Sequence, residues 1–281
     1  AVDLEFLWER TYAPVACLAQ VATSRAVHLI DPIAGAPLAA LAGLVADPDV
    51  EVVMHAPSAD LALLGMEFGV RPARLHDVQL TAGFVGLGAG QGLGTLLERV
   101  LRVRLDKGER YTDWSRRPLS RAQLEYAVAD VAHLLELADR LAERAAALGR
   151  TAWVAEEHER RYGPEARFVP DPDEAWRRVK GHGRLSAADR AVLASLAAWR
   201  EREARRRDRP ASWVVPDRAL VELARRRPSD RAALEEGRGL PDRIRAADVD
   251  GMLEAIREGA ATEPIPLPPA PSPEAQARLD V

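Results

Sequence analysis

Cysteine is almost missing from this chain, and so are long apolar runs. The one cysteine, Cys17, excludes a disulfide within the chain and is typical of a reducing compartment, so we expect a cytoplasmic protein. Cys17 lies in the apolar run Val15-Ala16-Cys17-Leu18, which predicts a buried, inert thiol. No stretch approaches the roughly 20 apolar residues of a membrane helix, and no signal-peptide pattern opens the chain. We therefore expect no membrane partner.

The chain also lacks a large net charge and the composition of a disordered protein. Its formal net charge is −4, which excludes a histone-like polycation but leaves room for a local basic patch. Its 281 residues, 47% of them hydrophobic, are enough for one large domain or two smaller ones. The sequence begins at Ala1 rather than methionine, so we expect that an upstream segment is missing.

Strand-like and helix-like segments alternate in the first part of the chain. Three β-rich runs predict a three-stranded meander at residues 1–8, 14–23 and 26–30. The next segments are predicted as a helix at 37–46, a strand at 50–54 and a helix at 61–68. Strands that alternate with helices indicate an α/β fold with a sheet covered on both faces.

A long helix is predicted from Ser120 to about Leu148. Ser120 with Gln123 three residues later is a capping-box signature. Two stripes run along opposite sides of this helix: an apolar stripe of Leu124, Val128, Val131 and Leu135, and a polar stripe of Tyr126, Asp130 and His133. A polar stripe of Tyr and Asp rather than Lys and Glu is not typical of open solvent. We therefore expect the polar face to border the functional site.

Proline and glycine divide the chain into domains. Residues 1–162 are predicted to form the first domain, and residues 163–183, rich in Pro, Asp and Gly, a linker. Residues 184–260 have helical periodicity throughout and predict a small all-helical domain. Residues 261–281 are dense in proline, and we expect a disordered tail there.

Five glycines between Gly86 and Gly94 allow two interpretations. One is a phosphate-binding loop, but the spacing fits neither the dinucleotide fingerprint nor a P-loop, because no Lys-Ser or Lys-Thr follows the last glycine. The other is a flexible loop before a helix at 95–101, which we favour.

Four acidic residues are candidate metal ligands: Asp3, Glu5, Asp60 and Asp130. Asp3 and Glu5 are one residue apart on a predicted strand, so their side chains point to the same face and need a neutralising cation. Asp60 comes just after a predicted strand, and Asp130 lies within the long helix. Oxygen ligands without a His or Cys cluster favour Mg²⁺ or Mn²⁺ over zinc. Taken singly, each carboxylate is more typical of a solvated surface charge.

The order and spacing of these residues resemble those of a known family. Asp3-x-Glu5, His55 to Asp60 and Tyr126-x-x-x-Asp130 are similar to the three motifs of the ribonuclease D branch of the 3′-5′ exonucleases, which have four acidic residues and a tyrosine. Further similarities lie at Glu9 to Tyr12, Asp77-x-Gln79, Leu105 to Lys107 and Thr112 to Leu119. Residues 196–201, 215–217 and 223–225 resemble the helicase-and-ribonuclease-D C-terminal (HRDC) domain. The resemblance implies a ribonuclease-H-like mixed sheet flanked by helices, followed by a small all-helical HRDC-like domain.

The resemblance also implies a two-metal-ion 3′-5′ exoribonuclease that releases 5′-mononucleotides. Asp3, Glu5, Asp60 and Asp130 would hold two Mg²⁺ or Mn²⁺ ions, with Asp3 bridging them, and Tyr126 would orient the attacking water. The expected partner is RNA with a free 3′ end, above all tRNA precursors and other small structured RNAs, and a monomer is favoured. Two alternatives remain open. One is a DNA exonuclease, since the metal chemistry does not distinguish the sugars; the other is a non-catalytic RNA-binding protein on the same fold.

Two groups of basic residues are candidate contacts to substrate phosphates. Lys107, Arg116 and Arg117 precede the helix of Tyr126 and Asp130, and Arg202, Arg205 and Arg206 belong to an arginine-rich run at a helix end. The alternative for both groups is a solvated surface. In the second group, interleaved acidic residues weaken the positive field, which is typical of a solvated helix with ion pairs. His55 is interpreted as a structural residue and not as a ligand.

Overall fold

The computed structural model describes residues 1–105, 112–236 and 246–267. The chain divides into two units, Ala1–Val169 and Pro170–Val281. Within the described residues, none of the helices has both the length and the apolar character that a membrane span requires.

The first unit begins with an antiparallel meander. Strands β1 (Val2–Leu7), β2 (Val15–Ala22) and β3 (Val27–Ile30) lie in the order β1-β2-β3, which confirms the predicted three-stranded arrangement. The register of β1 against β2 shifts between Glu5 and Phe6, where a β-bulge interrupts the ladder. Cys17, on β2, is fully buried as predicted.

In the described residues of the first unit, a parallel pair of strands and seven helices follow the meander. Strands β4 (Val52–Met54) and β5 (Leu75–Asp77) pair in parallel. The helices are α1 (Ala39–Ala46), α2 (Ser58–Phe68), α3 (Val78–Phe84), α4 (Leu93–Leu101), α5 (Arg121–Ala132), α6 (Leu134–Ala147) and α7 (Thr151–Tyr162). Val2 and Leu4 of β1 share one apolar core with Leu61 and Leu64 of α2. Antiparallel and parallel pairing together give the mixed α/β class that the sequence predicts.

The long helix after Ser120 differs from its prediction in two ways. It breaks at His133, where α5 ends and α6 begins. The predicted apolar stripe is also wrong in part, because Leu124 is 39% exposed and Val128 is 36% exposed. Helix periodicity defines which residues share a face, but the packing partners decide which face is buried.

The second unit is helical and begins earlier than the sequence suggests. Two 3₁₀ segments, Pro172–Arg178 and His182–Arg184, precede the helices α8 (Ala187–Arg207), α9 (Ala211–Val214), α10 (Asp217–Arg226), α11 (Arg231–Glu235) and α12 (Ala246–Ala261). Trp176 and Val179 are buried, so part of the predicted linker at 163–183 packs as core. Residues 163–169 belong to the first unit instead.

The chain after α12 remains attached to α8 for several residues. The Ile265 N–H donates to the Ala187 carbonyl oxygen at 3.0 Å, and the Arg190 Nε donates to the Ile265 carbonyl oxygen at 2.8 Å. The first residues of the tail predicted at 261–281 are therefore hydrogen-bonded to the helical domain. Residues 268–281, the rest of that predicted tail, lie outside the described part of the chain.

Candidate active site

Strand β1 places Asp3 and Glu5 on one face. Val2 and Leu4 alternate with them and are only 2% and 5% exposed, which holds the strand against the core. Asp3 and Glu5 are half-buried on the opposite face. The alternation predicted from the sequence is the alternation in the structure.

Asp60 reaches β1 from the first turn of α2. The sequence suggested a position just after a strand, but α2 begins at Ser58 and includes Asp60. The Leu4 backbone N–H donates to Asp60 Oδ1 at 3.1 Å, and Asp60 is 7% exposed. This hydrogen bond joins two segments that are 56 residues apart in sequence. Asp60 is thereby fixed beside the strand that carries Asp3 and Glu5.

Helix α5 brings Asp130 and Tyr126 to the same place. Its start is secured by the predicted capping box, in which Ser120 Oγ accepts from the Gln123 N–H at 3.1 Å and Gln123 Oε1 accepts from the Ser120 N–H at 2.9 Å. Tyr126 and Asp130 are one helical turn apart, and their side chains are hydrogen-bonded. The Tyr126 ring also packs on buried Trp114, with ring centroids 6.0 Å apart.

Three of the four predicted carboxylates form a tight cluster. Asp3, Glu5 and Asp130 each offer one carboxylate oxygen, and these atoms all lie within 4.8 Å of one another. Asp60 lies outside that group of three, although its charge raises the pKa of both Asp3 and Glu5. Clustered hard oxygen donors are the ligand set that Mg²⁺ and Mn²⁺ prefer, so these residues fit a divalent cation.

Burial and mutual repulsion perturb these acids strongly. Burial, followed by the charges of Asp130 and Asp60, raises the pKa of Glu5 to about 8. Burial raises the pKa of Asp60 to about 7, and burial with the three neighbouring carboxylates raises the pKa of Asp3 well above its usual value. Burial and the nearby carboxylates also raise the pKa of the Tyr126 hydroxyl. Negative charge concentrated in this way is favourable only when a cation neutralises it.

A buried hydrogen-bond network supports the loop that leads to Asp60. Asp77, 2% exposed, accepts from the Ala56 N–H at 3.0 Å and the Gln79 N–H at 2.9 Å through Oδ1, and from the Tyr162 hydroxyl at 2.7 Å through Oδ2. Ala56 has φ +52°, a left-handed conformation that is unfavourable for alanine. The sequence showed the Asp77-x-Gln79 motif without a role for it. Only the fold reveals that Asp77 holds the backbone of Ala56, which lies four residues before Asp60 in the sequence.

His55 and the glycine-rich loop meet at one backbone carbonyl. The Gln91 carbonyl oxygen lies 2.9 Å from His55 Nε2 and accepts from Gln79 Nε2 at 3.1 Å. His55 is thus hydrogen-bonded to the loop, in keeping with the structural role expected from the sequence. Helix α4 begins at Leu93, two residues before its predicted start.

Arg117 is engaged entirely within the protein. Its guanidinium donates to both oxygens of Asp31 at 2.7 Å and to the carbonyl oxygens of Cys17, Trp114 and Arg116 at 2.7–2.8 Å. A guanidinium has five N–H donors, so none remains for a substrate phosphate. Arg117 therefore holds parts of this fold together, which argues against the phosphate contact expected from the sequence.

The other basic candidates differ in their surroundings. Arg116 pairs with Asp113 at 3.1 Å, and its side chain is 84% exposed. Lys107 lies outside the described residues. On α8 of the second unit, Arg202, Arg205 and Arg206 are exposed, and Arg206 pairs with Glu203 at 2.6 Å.

Two other arginines of the same run turn inward. Arg200 is 5% exposed and donates to Asp217 at 2.7 Å. Arg207 pairs with Glu203 at 2.6 Å and with Asp248. The arginine-rich run thus contains both structural and solvent-facing members.

The comparisons agree with this arrangement. A family model described as 3′-5′ exonuclease matches residues 1–146, and one described as HRDC domain matches residues 189–256. Ribonuclease D of Zymomonas mobilis subsp. mobilis is 38% identical over 95% of this chain and 69% of that relative.

Two solved structures are also similar. Escherichia coli RNase D, an exoribonuclease involved in structured RNA processing, has a TM-score of 0.77 and 31% identity over 93% of this chain and 69% of that one. Brucella melitensis NrnC with bound Mg²⁺ has a TM-score of 0.50 and 27% identity over 56% of this chain and 78% of that one. The chain belongs to the ribonuclease D family and is a 3′-5′ exoribonuclease with an exonuclease domain followed by an HRDC domain.

Proposed function

We propose that this chain removes 5′-mononucleotides from RNA at a site formed by Asp3, Glu5, Asp60 and Asp130, which hold two divalent cations, Mg²⁺ or Mn²⁺. The single observation that carries this proposal is the convergence of the β1 and α5 carboxylates, with Asp60 of α2 hydrogen-bonded to β1 and with strongly raised pKa values. Such an arrangement is unfavourable for folding unless cations bind it. The similarity to an Mg²⁺-bound nuclease further supports the choice of metal.

The bound cations would supply a Lewis acid that activates water and neutralises charge developing on the scissile phosphate. Tyr126 has a different task. A tyrosine hydroxyl is protonated at neutral pH, and burial with the nearby carboxylates raises the pKa of Tyr126 further, so Tyr126 acts as a hydrogen-bond partner that orients the water and not as a base. Its hydrogen bond to Asp130 and its packing on Trp114 hold the ring in place for this role.

The proposed substrates are tRNA precursors and other small structured RNAs with a free 3′ end, in the cytoplasm. This choice follows from membership of the ribonuclease D family and from the structured-RNA role stated for the E. coli relative. We further propose that the protein acts as a monomer, with the first unit, Ala1–Val169, as the catalytic domain and the helical unit that begins at Pro170 as the HRDC-like domain.

The exposed arginines of the HRDC domain are proposed to hold the RNA backbone. Arg202, Arg205 and Arg206 are spaced three and four residues apart on α8, so they share one face. Arg209 follows two residues after the end of α8, with its guanidinium 6.0 Å from the ring centroid of exposed Trp213. Arginines beside an exposed aromatic ring suit single-stranded RNA. Arg116, exposed in the first unit, is a further proposed phosphate contact.

The test compares Asp3→Asn and Tyr126→Phe with the wild type on labelled RNA and on DNA of the same sequence, with Mg²⁺ or Mn²⁺ present. We expect loss of mononucleotide release in Asp3→Asn, and a decrease of about 10²-fold in kcat for Tyr126→Phe, which no longer orients the water. Asp49→Asn, at an exposed loop position, is the matched control and keeps full activity. Full activity in Asp3→Asn would refute the assigned site, whereas equal cleavage of DNA would refute the RNA preference.

A further inference from the structure

A surface pocket of about 590 Å³ lies in the first unit. Ser58 and Ala59, the two residues that precede Asp60 in α2, form part of its wall. Trp8, three residues after Glu5, forms another part. The Trp8 pocket, as we name it, is therefore built on the segments that carry two of the catalytic carboxylates.

The chemistry of the Trp8 pocket is aromatic and cationic. Trp8 is 40% exposed, and its ring is oriented by an Nε1–H bond to the Tyr12 carbonyl oxygen at 2.8 Å and by edge contact with Phe6. Phe168 lines the pocket as well, together with Arg161 and Arg167. The eight residues lining the pocket include these two arginines and no acidic side chain.

The positive charge of Arg161 is not fully neutralised by Glu157. Glu157 pairs with Arg160 at 2.5 Å and with Arg161 at 2.7 Å, so one carboxylate serves two guanidinium groups. The Arg161 side chain is 52% exposed. This group of three charges keeps a net positive charge at the pocket.

An exposed indole with flanking arginines is the combination that binds single-stranded nucleic acid, through base stacking and phosphate contacts. The 3′-terminal nucleotide needs no such arginines, because its phosphate is the scissile one at the carboxylate cluster. The phosphates that Arg161 and Arg167 suit therefore belong to nucleotides upstream of the scissile bond. We propose that the Trp8 pocket is an upstream subsite, where the base of the third nucleotide from the 3′ end, or of one still further upstream, stacks on Trp8 while Arg161 and Arg167 contact the backbone phosphates.

The inference rests on the proposed exoribonuclease function, and a substrate-length series tests the two separately. Wild type, Trp8→Ala and Trp8→Phe are compared on a dinucleotide and on progressively longer RNAs of one sequence. For Trp8→Ala we expect little change in kcat/KM on the dinucleotide and a loss of about 5- to 100-fold on longer RNA. Trp8→Phe keeps a stacking surface and regains most of the loss. Trp153→Ala removes another indole of the same unit, 58% exposed and outside the pocket, and serves as the matched control.

A binding measurement checks the phosphate contact without catalysis. In EDTA, fluorescence anisotropy gives the Kd for a longer RNA over a range of salt concentrations. Arg161→Gln is expected to lower the slope of log Kd against log salt by about 0.7, the value for one phosphate contact on a single strand. Arg160→Gln is the control, since Arg160 pairs with the same Glu157 but does not line the pocket.

Several results would overturn the upstream subsite. An equal loss in Trp8→Ala at every length, the dinucleotide included, would assign Trp8 to one of the two 3′-terminal nucleotides or to folding. An unchanged kcat/KM on long RNA would exclude Trp8 from substrate binding. Equal salt slopes for the two arginine variants would show that Arg161 makes no specific phosphate contact. A wild type that releases no mononucleotide from any RNA would instead refute the proposed function itself.

Discussion

Glu5 is expected to destabilise the protein increasingly as pH rises when the metal site is empty. Its pKa is raised to about 8 in the folded protein from a usual value of 4.5, so the folded state holds a proton that the unfolded state releases between these pH values. The free energy of unfolding therefore decreases as pH rises through this window. With allowance for the partial exposure of Glu5, the decrease from about pH 5 to pH 8 is about 2–3 kcal/mol.

Glu5→Gln isolates this contribution, because glutamine keeps the shape of the side chain and carries no charge. In EDTA, urea unfolding of both proteins is followed by circular dichroism across this pH range. We expect Glu5→Gln to become progressively more stable than the wild type as pH rises, although it lacks a metal ligand. Since the HRDC unit is the same in both proteins, the difference reports on the site.

Two additions sharpen this experiment. Saturating Mg²⁺ should stabilise the wild type more than Glu5→Gln, because binding to the folded state adds stability in proportion to affinity. Glu165→Gln, at an exposed position, should follow the wild type at every pH. Parallel pH curves for the wild type and Glu5→Gln in EDTA would refute the idea that crowded carboxylates strain the empty site.

Further predictions concern the packing that supports the two units, each measured as a urea midpoint. Asp77→Ala leaves three donors without their acceptor and should cost about 3–5 kcal/mol, whereas a loss below 1 kcal/mol would contradict the network. Ala56→Gly should stabilise the protein by about 1 kcal/mol, because glycine adopts φ +52° without strain. Any decrease in stability would refute the idea that Ala56 is strained. Gly259→Ala should destabilise, since its Cβ would lie 2.6 Å from the Val192 Cα, while Gly43→Ala, in open space on α1, should stabilise slightly. Equal effects of the two glycine substitutions would contradict this close helix contact.

Local periodicity in the sequence was enough to predict much of the site. A strand repeats every two residues, so Asp3 and Glu5 had to share a face once Val2 and Leu4 faced the core. A helix repeats every 3.6 residues, so Tyr126 and Asp130 had to lie one turn apart. The order of the motifs indicated the family, and the comparisons confirm it together with the fold class and the exoribonuclease activity.

Only the tertiary structure decided how distant segments meet. The bond from Leu4 to Asp60 and the network around Asp77 join residues far apart in sequence, and no local pattern encodes such contacts. Spacing likewise could not show that Arg117 is fully engaged within the protein or that Leu124 faces solvent. Local sequence determined which side chains share a face. The partner that each face meets, and hence whether a charge binds substrate or holds the fold together, depended on packing between elements.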